Sequence, residues 1–134
     1  MTCHAGPMRR VLIIEDDCEL REELVELATT LGARVVGARN GAEAMAACTG
    51  EIDVILCDYK LGIENGLDVL RALREAQCFD PARAAIYLMT GHLDLTFAAR
   101  QEIESATRGL FMKPLRPAVV RGIILDGHIT SDRD

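Results

Sequence analysis

The stretch IDVILCDYKLGIENGLDVLRALREAQ, residues 52–77, sets two periodicities side by side. Val54, Ile55, Leu56 and Cys57 make a continuous apolar run, the mark of a strand covered on both faces. Beyond Gly66 the pattern changes: Val69, Leu70, Leu73 and Ala76 recur at helical steps and share one face. A buried strand passing into an amphipathic helix is the half-unit of a parallel α/β sheet. Between the two stands Asp58, a carboxylate at the end of an apolar strand, in a loop closed by Gly66. A loop aspartate can simply cap the helix that follows, so its meaning depends on the rest of the chain.

Upstream, RRVLIIED reads as a buried strand, Val11 to Ile14, that ends in acids. Leu20, Leu24, Leu27 and Leu31 then keep a helical period, with Gly32 as the stop. ARVVGA is a second, shorter strand. Asn40 and Glu43 have capping-box spacing, and the helix they open carries only Ala42, Met45 and Ala46, so it is small or peripheral. Downstream, Asp80-Pro81 marks a turn and AAIYLMT a fourth strand. Leu93 to Thr107 is helix-compatible but weakly periodic. GLFMKP is a short fifth strand stopped by Pro114, and PAVVRGIIL a last helix with Val119, Val120, Ile123 and Ile124 inward. Strand and helix alternate five times, which predicts a doubly wound five-stranded parallel sheet, order 2-1-3-4-5, with helices on both faces.

A chain of 134 residues suits one domain with a real core. A formal net charge of -6 argues against a general nucleic-acid surface. No apolar stretch approaches the length of a membrane span, and no signal-like segment opens the sequence. The five cysteines (Cys3, Cys18, Cys48, Cys57, Cys78) include no CxxC pair, which points to a reducing, cytoplasmic setting. Cys57, inside an apolar run, serves as a small hydrophobe. Cys3-His4 has no second ligand pair at zinc spacing.

In a doubly wound sheet, ligands bind beyond the carboxyl ends of the strands, where the winding reverses. At those ends this chain puts Glu15-Asp16-Asp17, Asp58, Thr90 and Lys113. Each has an ordinary alternative: acids favoured at a helix start, an aspartate or threonine cap, a plain strand-end lysine. Their joint placement at four strand ends is what those alternatives explain poorly. Crowded carboxylates need a proton or a cation, and oxygen ligands of this hardness suit Mg²⁺. A lysine and a hydroxyl beside them could bind phosphoryl oxygens, and a carboxylate can accept the phosphoryl group itself. Asp58 is the candidate nucleophile, with Glu15 and Asp16 as candidate metal binders.

VLIIEDD, ILCDYKLGIENG, YLMTG and FMKP, in this order, resemble the receiver domain of two-component response regulators. The resemblance covers residues 9–128, leaving 1–8 as an N-terminal extension and 129–134 as a C-terminal tail. It implies that Asp58 is the phosphorylated aspartate and that Mg²⁺ is held by Glu15, Asp16, Asp58 and the backbone carbonyl of Lys60. Thr90 would bond the phosphoryl group and Lys113 would be its cationic partner, with Lys113-Pro114 a candidate cis peptide. The implied donor is a phosphohistidine on a histidine kinase or histidine phosphotransfer protein, and the domain would catalyse its own phosphorylation and dephosphorylation.

The departures from the family pattern are informative. The usual switch aromatic, three residues before the lysine, is Leu110 here, with Phe111 next along; the output would then use another movement of the last strands and helices. Gly62 stands where proline is common, which predicts a mobile loop after Asp58. Lys60 and His92, two residues beyond Asp58 and Thr90, flank the site and are candidates for setting the lifetime of the aspartyl-phosphate. The last two helices and the fifth strand offer a homodimer face. Arg100, Arg108, Arg116 and Arg121 are contacts if the domain signals through the face of the last helices; the ordinary use of such arginines is a solvated face. The expectation is a stand-alone regulator, or a receiver cut from a hybrid kinase or a larger regulator. The competing reading is a receiver-like docking module that works without phosphorylation. A phosphatase of the haloacid dehalogenase type would need an acid where Lys60 stands, and an FMN carrier a Ser/Thr/Gly-rich loop in place of Glu15-Asp16-Asp17.

Overall fold

The computed structural model describes residues 8–91 and 95–125. In chain order the elements are β1 (Arg10–Ile14), α1 (Cys18–Thr30), β2 (Arg34–Ala38), α2 (Gly41–Ala46) and β3 (Val54–Asp58). Two short strands follow, β4 (Lys60–Leu61) and β5 (Glu64–Asn65), and then α3 (Gly66–Glu75). The chain continues through β6 (Ala85–Thr90), α4 (Phe97–Ala106), β7 (Gly109–Met112) and α5 (Pro117–Leu125). Five strands form one parallel sheet in the order β2-β1-β3-β6-β7. Counting only those five, this is the expected 2-1-3-4-5.

Alternation along the buried strands divides the core into two layers. Leu12, Ile14, Ile55, Cys57, Ile86 and Leu88 face Ala44 of α2, the apolar face of α3 and Ile103 of α4. Val11, Ile13, Val54, Leu56, Tyr87 and Met89 face Leu24 and Ala28 of α1 and the inward residues of α5. All five residues of β3 are buried, the four of its apolar run and Asp58 with them. Leu110 is half-buried against the first layer. Phe111 turns into the second and meets Tyr87 with ring centroids 5.7 Å apart.

Local chemistry sets the element ends. Asp17 caps α1, accepting from the backbone N–H groups of Glu19 and Leu20 at 3.0 and 3.3 Å. Asn40 caps α2 by accepting from Glu43 N–H, but Glu43 reaches back to the N–H of Arg39, one residue before the cap, at 2.9 Å. α2 is as small as its composition suggests: six residues, with Ala44 alone buried. α4 begins at Phe97, after the cap Thr96.

Two features lay beyond the sequence reading. The loop after Asp58 folds on itself as a hairpin: Lys60–Leu61 pairs antiparallel with Glu64–Asn65 around Gly62, whose φ of +64° suits the first turn position of a two-residue hairpin. Cys48 and Cys78 are joined as a disulfide across a Cα–Cα distance of 4.7 Å, a pairing the spacing of the cysteines did not reveal. Cys18 and Cys57 are free. Among the described residues no helix is long and apolar enough to cross a membrane.

Candidate functional site

The winding reverses at β1 and β3, which lie side by side in register from Val11–Val54 to Ile14–Cys57. Residues just past the end of β1 are thereby brought beside the end of β3. Glu15, fully buried, is fixed by its own backbone N–H, which donates to the Ala38 carbonyl at 2.9 Å. Arg21 of α1 donates to the Glu15 carbonyl, also at 2.9 Å. Asp58, the last residue of β3, is 4% exposed. Carboxylate oxygens of Glu15, Asp16 and Asp58 all lie within 4.8 Å of one another.

The three consecutive acids thus separate into different roles. Glu15 and Asp16 join the cluster, whereas Asp17 is taken up by capping α1. The N–H of Asp17 donates to Glu15 Oε2 at 3.0 Å and so orients that side chain.

β7 contributes the cation. Lys113 follows it directly, and its backbone N–H donates to the Thr90 carbonyl at 2.8 Å, locking the two strand ends together. Its Nζ lies 2.9 Å from Glu15 Oε1 and 3.1 Å from Asp58 Oδ2. The peptide to Pro114 is cis, the form named as a candidate from the sequence. Thr90 ends β6 and is 1% exposed. Lys60 donates its backbone N–H to Asp58 Oδ1 at 3.3 Å, and the residue itself is exposed to solvent. His92 lies outside the described residues.

Electrostatics follow from this crowding. Burial pushes the Glu15 carboxyl up to about 7; the Asp17 N–H and Lys113 act against the rise, and the Asp58 charge adds to it. Burial alone would depress the Lys113 ammonium, but the carboxylates of Glu15 and Asp58 outweigh it and raise its pKa above the ordinary lysine value. Three acids and one lysine leave the site short of positive charge. A hard divalent cation meeting carboxylate oxygens would relieve that shortage, so the donor set fits Mg²⁺.

Gly66 closes the loop from the far side. Its N–H donates to the Tyr59 carbonyl at 2.7 Å. A Cβ there would run into the carbonyl oxygen of Asp58 and come within 3.1 Å of Tyr59 Cα.

Sequence reasoning placed Glu15, Asp16, Asp58, Thr90 and Lys113 at strand ends, and all five stand along one rim. It missed Arg21 and the two hairpin strands. Arg21 gave a faint signal, lying one turn into α1 behind the acids; strands of two residues carry no readable period.

The profile of the response regulator receiver domain matches residues 11–124. A response regulator receiver protein of Anaeromyxobacter sp. (strain Fw109-5) is 36% identical over 98 residues, 71% of this chain and 40% of that protein. The transcriptional regulatory protein CpxR of Escherichia coli (strain K12) is 37% identical over 68 residues, 51% of this chain and 29% of that protein. The chain therefore spans well under half the length of these curated relatives. Among solved structures, a CheY-like receiver domain from Methylobacillus flagellatus superposes with a TM-score of 0.75 at 24% identity, covering 90% of this chain and 99% of that one. A response regulator receiver domain protein from Clostridium thermocellum gives the same TM-score at 22% identity, covering 90% and 94%. With the sheet order, the strand-end carboxylates and the matched profile in agreement, the chain belongs to the response regulator receiver domain family.

Proposed function

We propose that this receiver domain takes a phosphoryl group from a phosphohistidine onto Asp58 in a cytoplasmic two-component phosphorelay, and signals by the change of shape that follows. The observation that carries the reading is Lys113 Nζ, 2.9 Å from Glu15 and 3.1 Å from Asp58 at the meeting of three strand ends. A half-buried lysine spanning two buried carboxylates is an expensive arrangement for stability alone. It suits a site through which negative charge passes.

Glu15, Asp16, Asp58 and the Lys60 carbonyl would hold Mg²⁺, which supplies charge neutralisation for phosphoryl oxygens when bound. A carboxylate oxygen of Asp58 attacks phosphorus, the P–N bond of the donor breaks, and the imidazole leaves with its electron pair. Lys113 pairs with the new charge, and the Thr90 hydroxyl bonds a phosphoryl oxygen. The main-chain bond from Lys113 to Thr90 couples these two responses. With Leu110 half-buried in place of the usual aromatic, the output is carried by β7, α4 and α5 themselves, which also form the proposed homodimer face. The donor is a histidine kinase or a histidine phosphotransfer protein.

Incubation of the full chain with acetyl phosphate and Mg²⁺, followed by intact mass, tests the reading. The expected result is a Mg²⁺-dependent gain of one phosphoryl group, absent from Asp58→Asn. If a folded sample gains nothing, even from a phosphohistidine donor, the chain is a docking module that works without phosphorylation.

A further inference from the structure

We propose that Cys48 and Cys78 form a reversible thiol–disulfide exchange site, entered at Cys48, whose closure clamps α2 onto the segment that follows the Asp58 strand. The bond joins Cys48, two residues beyond the end of α2, to Cys78, three beyond the end of α3. The intervening chain, with a sequence separation of 30, contains β3, the Asp58 loop and all of α3.

α2 has little else to hold it. It buries one side chain, Ala44, and Met45 is 37% exposed. At its other end Glu64 Oε1 of β5 accepts from the Gly41 N–H at 2.9 Å. Both ends of this helix are therefore tied to one stretch, residues 64–78, through an exposed hydrogen bond at the start and a covalent bond at the finish. Opening the bond leaves only non-covalent anchors: Glu64 at the start, Ala44 and the partly buried Ala47 against the core, and the Gly50 N–H on the Cys78 carbonyl at 3.1 Å. A helix of six residues does not persist without tertiary support.

The two sulfurs are not equivalent. Cys78 is fully buried, with its Sγ 3.9 Å from Met45 Sδ, whereas Cys48 is only half-buried. Exchange depends on which sulfur can be reached, so a small thiol or disulfide enters at Cys48. In closure, the Cys48 thiolate attacks a low-molecular-weight disulfide, forming a mixed disulfide and releasing one thiolate. The Cys78 thiolate then attacks Cys48 Sγ and expels the second. The two cysteine sulfurs lose two electrons to the small disulfide, and the two cysteine protons end on its two thiolates. Reduction runs the same steps backwards. Where the surroundings are reducing, such bonds are transient and act as sensors.

The test equilibrates the full-length native chain in glutathione buffers from fully reduced to fully oxidised, then traps the thiols with acid and alkylates them in denaturant. Peptide masses are expected to show Cys48 and Cys78 passing together from alkylated to blocked, with a glutathione adduct trapped on Cys48 along the way. Amide exchange read at both limits should be about tenfold faster over 41–48 in the reduced form, with β3 and β6 unchanged. A pair that stays closed in reduced glutathione, or stays open in oxidised glutathione, overturns the proposal. So does an adduct on Cys78 instead of Cys48, or identical exchange of α2 in the two states. None of these readouts involves the phosphoryl chemistry, so they stand or fall apart from it.

Discussion

A lysine shared by two carboxylates, one of them fully buried, makes Lys113 the residue on which the site balances. Removing it leaves Glu15 and Asp58 facing each other without a counter-charge. Lys113→Ala is expected to lose about 3 kcal/mol of stability at pH 8 in the presence of a chelator. Glu15 is already held near 7, and without the lysine its pKa rises further, well above that of an unfolded glutamate. A carboxyl with a raised folded pKa disfavours the folded state once pH exceeds its unfolded pKa, so protonation at lower pH relieves the cost. The loss in Lys113→Ala should therefore be smaller at pH 6 than at pH 8, and Mg²⁺ should reduce it at pH 8; urea midpoints in the four conditions decide. Gly66 sets a second constraint, since any Cβ meets the Asp58 carbonyl. Gly66→Ala should cost about 1–3 kcal/mol by denaturant unfolding and, on the proposed function, slow phosphoryl uptake from acetyl phosphate, because the strain falls on the backbone of Asp58, the proposed nucleophile. Lys60 stands exposed beside Asp58, open to meeting phosphoryl oxygens or the attacking water. A Lys60→Ala/His92→Ala double variant should change the half-life of the aspartyl-phosphate by about tenfold, and an unchanged decay would remove these side chains from the hydrolysis step. At this scale the sequence was informative because the chemistry-bearing residues interrupt apolar strands. Asp17 was left out of the candidate metal binders, and the structure gives the reason: its side chain caps α1.

Elements are decided by their ends as much as by their faces. α3 closes with a Schellman pattern, in which Cys78 N–H donates to the Leu73 carbonyl and Gln77 N–H to that of Arg74, both at 3.0 Å. The geometry puts Gln77 at φ +60°, a conformation that costs a side-chain-bearing residue and suits glycine. Gln77→Gly should stabilise the domain by about 0.5–1 kcal/mol, seen as a higher urea midpoint with an unchanged slope. An unchanged midpoint would mean that the αL cost is already offset within the cap. Helix faces were legible where large residues repeat: Val69, Leu70 and Leu73 of α3 and the four inward residues of α5 are buried as their spacing predicted, whereas Ala76, expected on the same face, is the exposed C-cap of α3. The hairpin after Asp58 was not, because its pairing is set by Gly62 and by Glu64 reaching α2. The Cys48–Cys78 pair was hidden for a related reason: a Cα–Cα distance of 4.7 Å across 30 residues arises only after α2 and α3 have docked.

At the scale of the whole molecule one sheet serves two cores, and the site sits on the rim that both cores support. Leu56 and Leu88 show the division. Both are fully buried and sit on adjacent strands, yet Leu56 faces α1 and α5 while Leu88 faces α2, α3 and α4. Had the two layers been separate units, each truncation would weaken its own layer and leave the other intact. The sheet argues otherwise, because the backbone of β3 hydrogen-bonds to β1 on one side and β6 on the other, and its side chains enter both layers. Leu56→Ala and Leu88→Ala should each cost about 2–5 kcal/mol, and each should lower the midpoint of one cooperative transition. Unfolding followed by tyrosine fluorescence and by far-ultraviolet circular dichroism tests this directly. Tyr59 packs against the α2–α3–α4 layer, so the comparison is made in a Tyr59→Phe background, where Tyr87 alone reports on the α1–α5 layer while dichroism reports on every helix. If Leu88→Ala moved the dichroism midpoint and left the fluorescence midpoint where it was, the layers would be separable. Coincident shifts would place the strand-end carboxylates on a single folding unit, in which a change at Asp58 is felt by both helical layers at once.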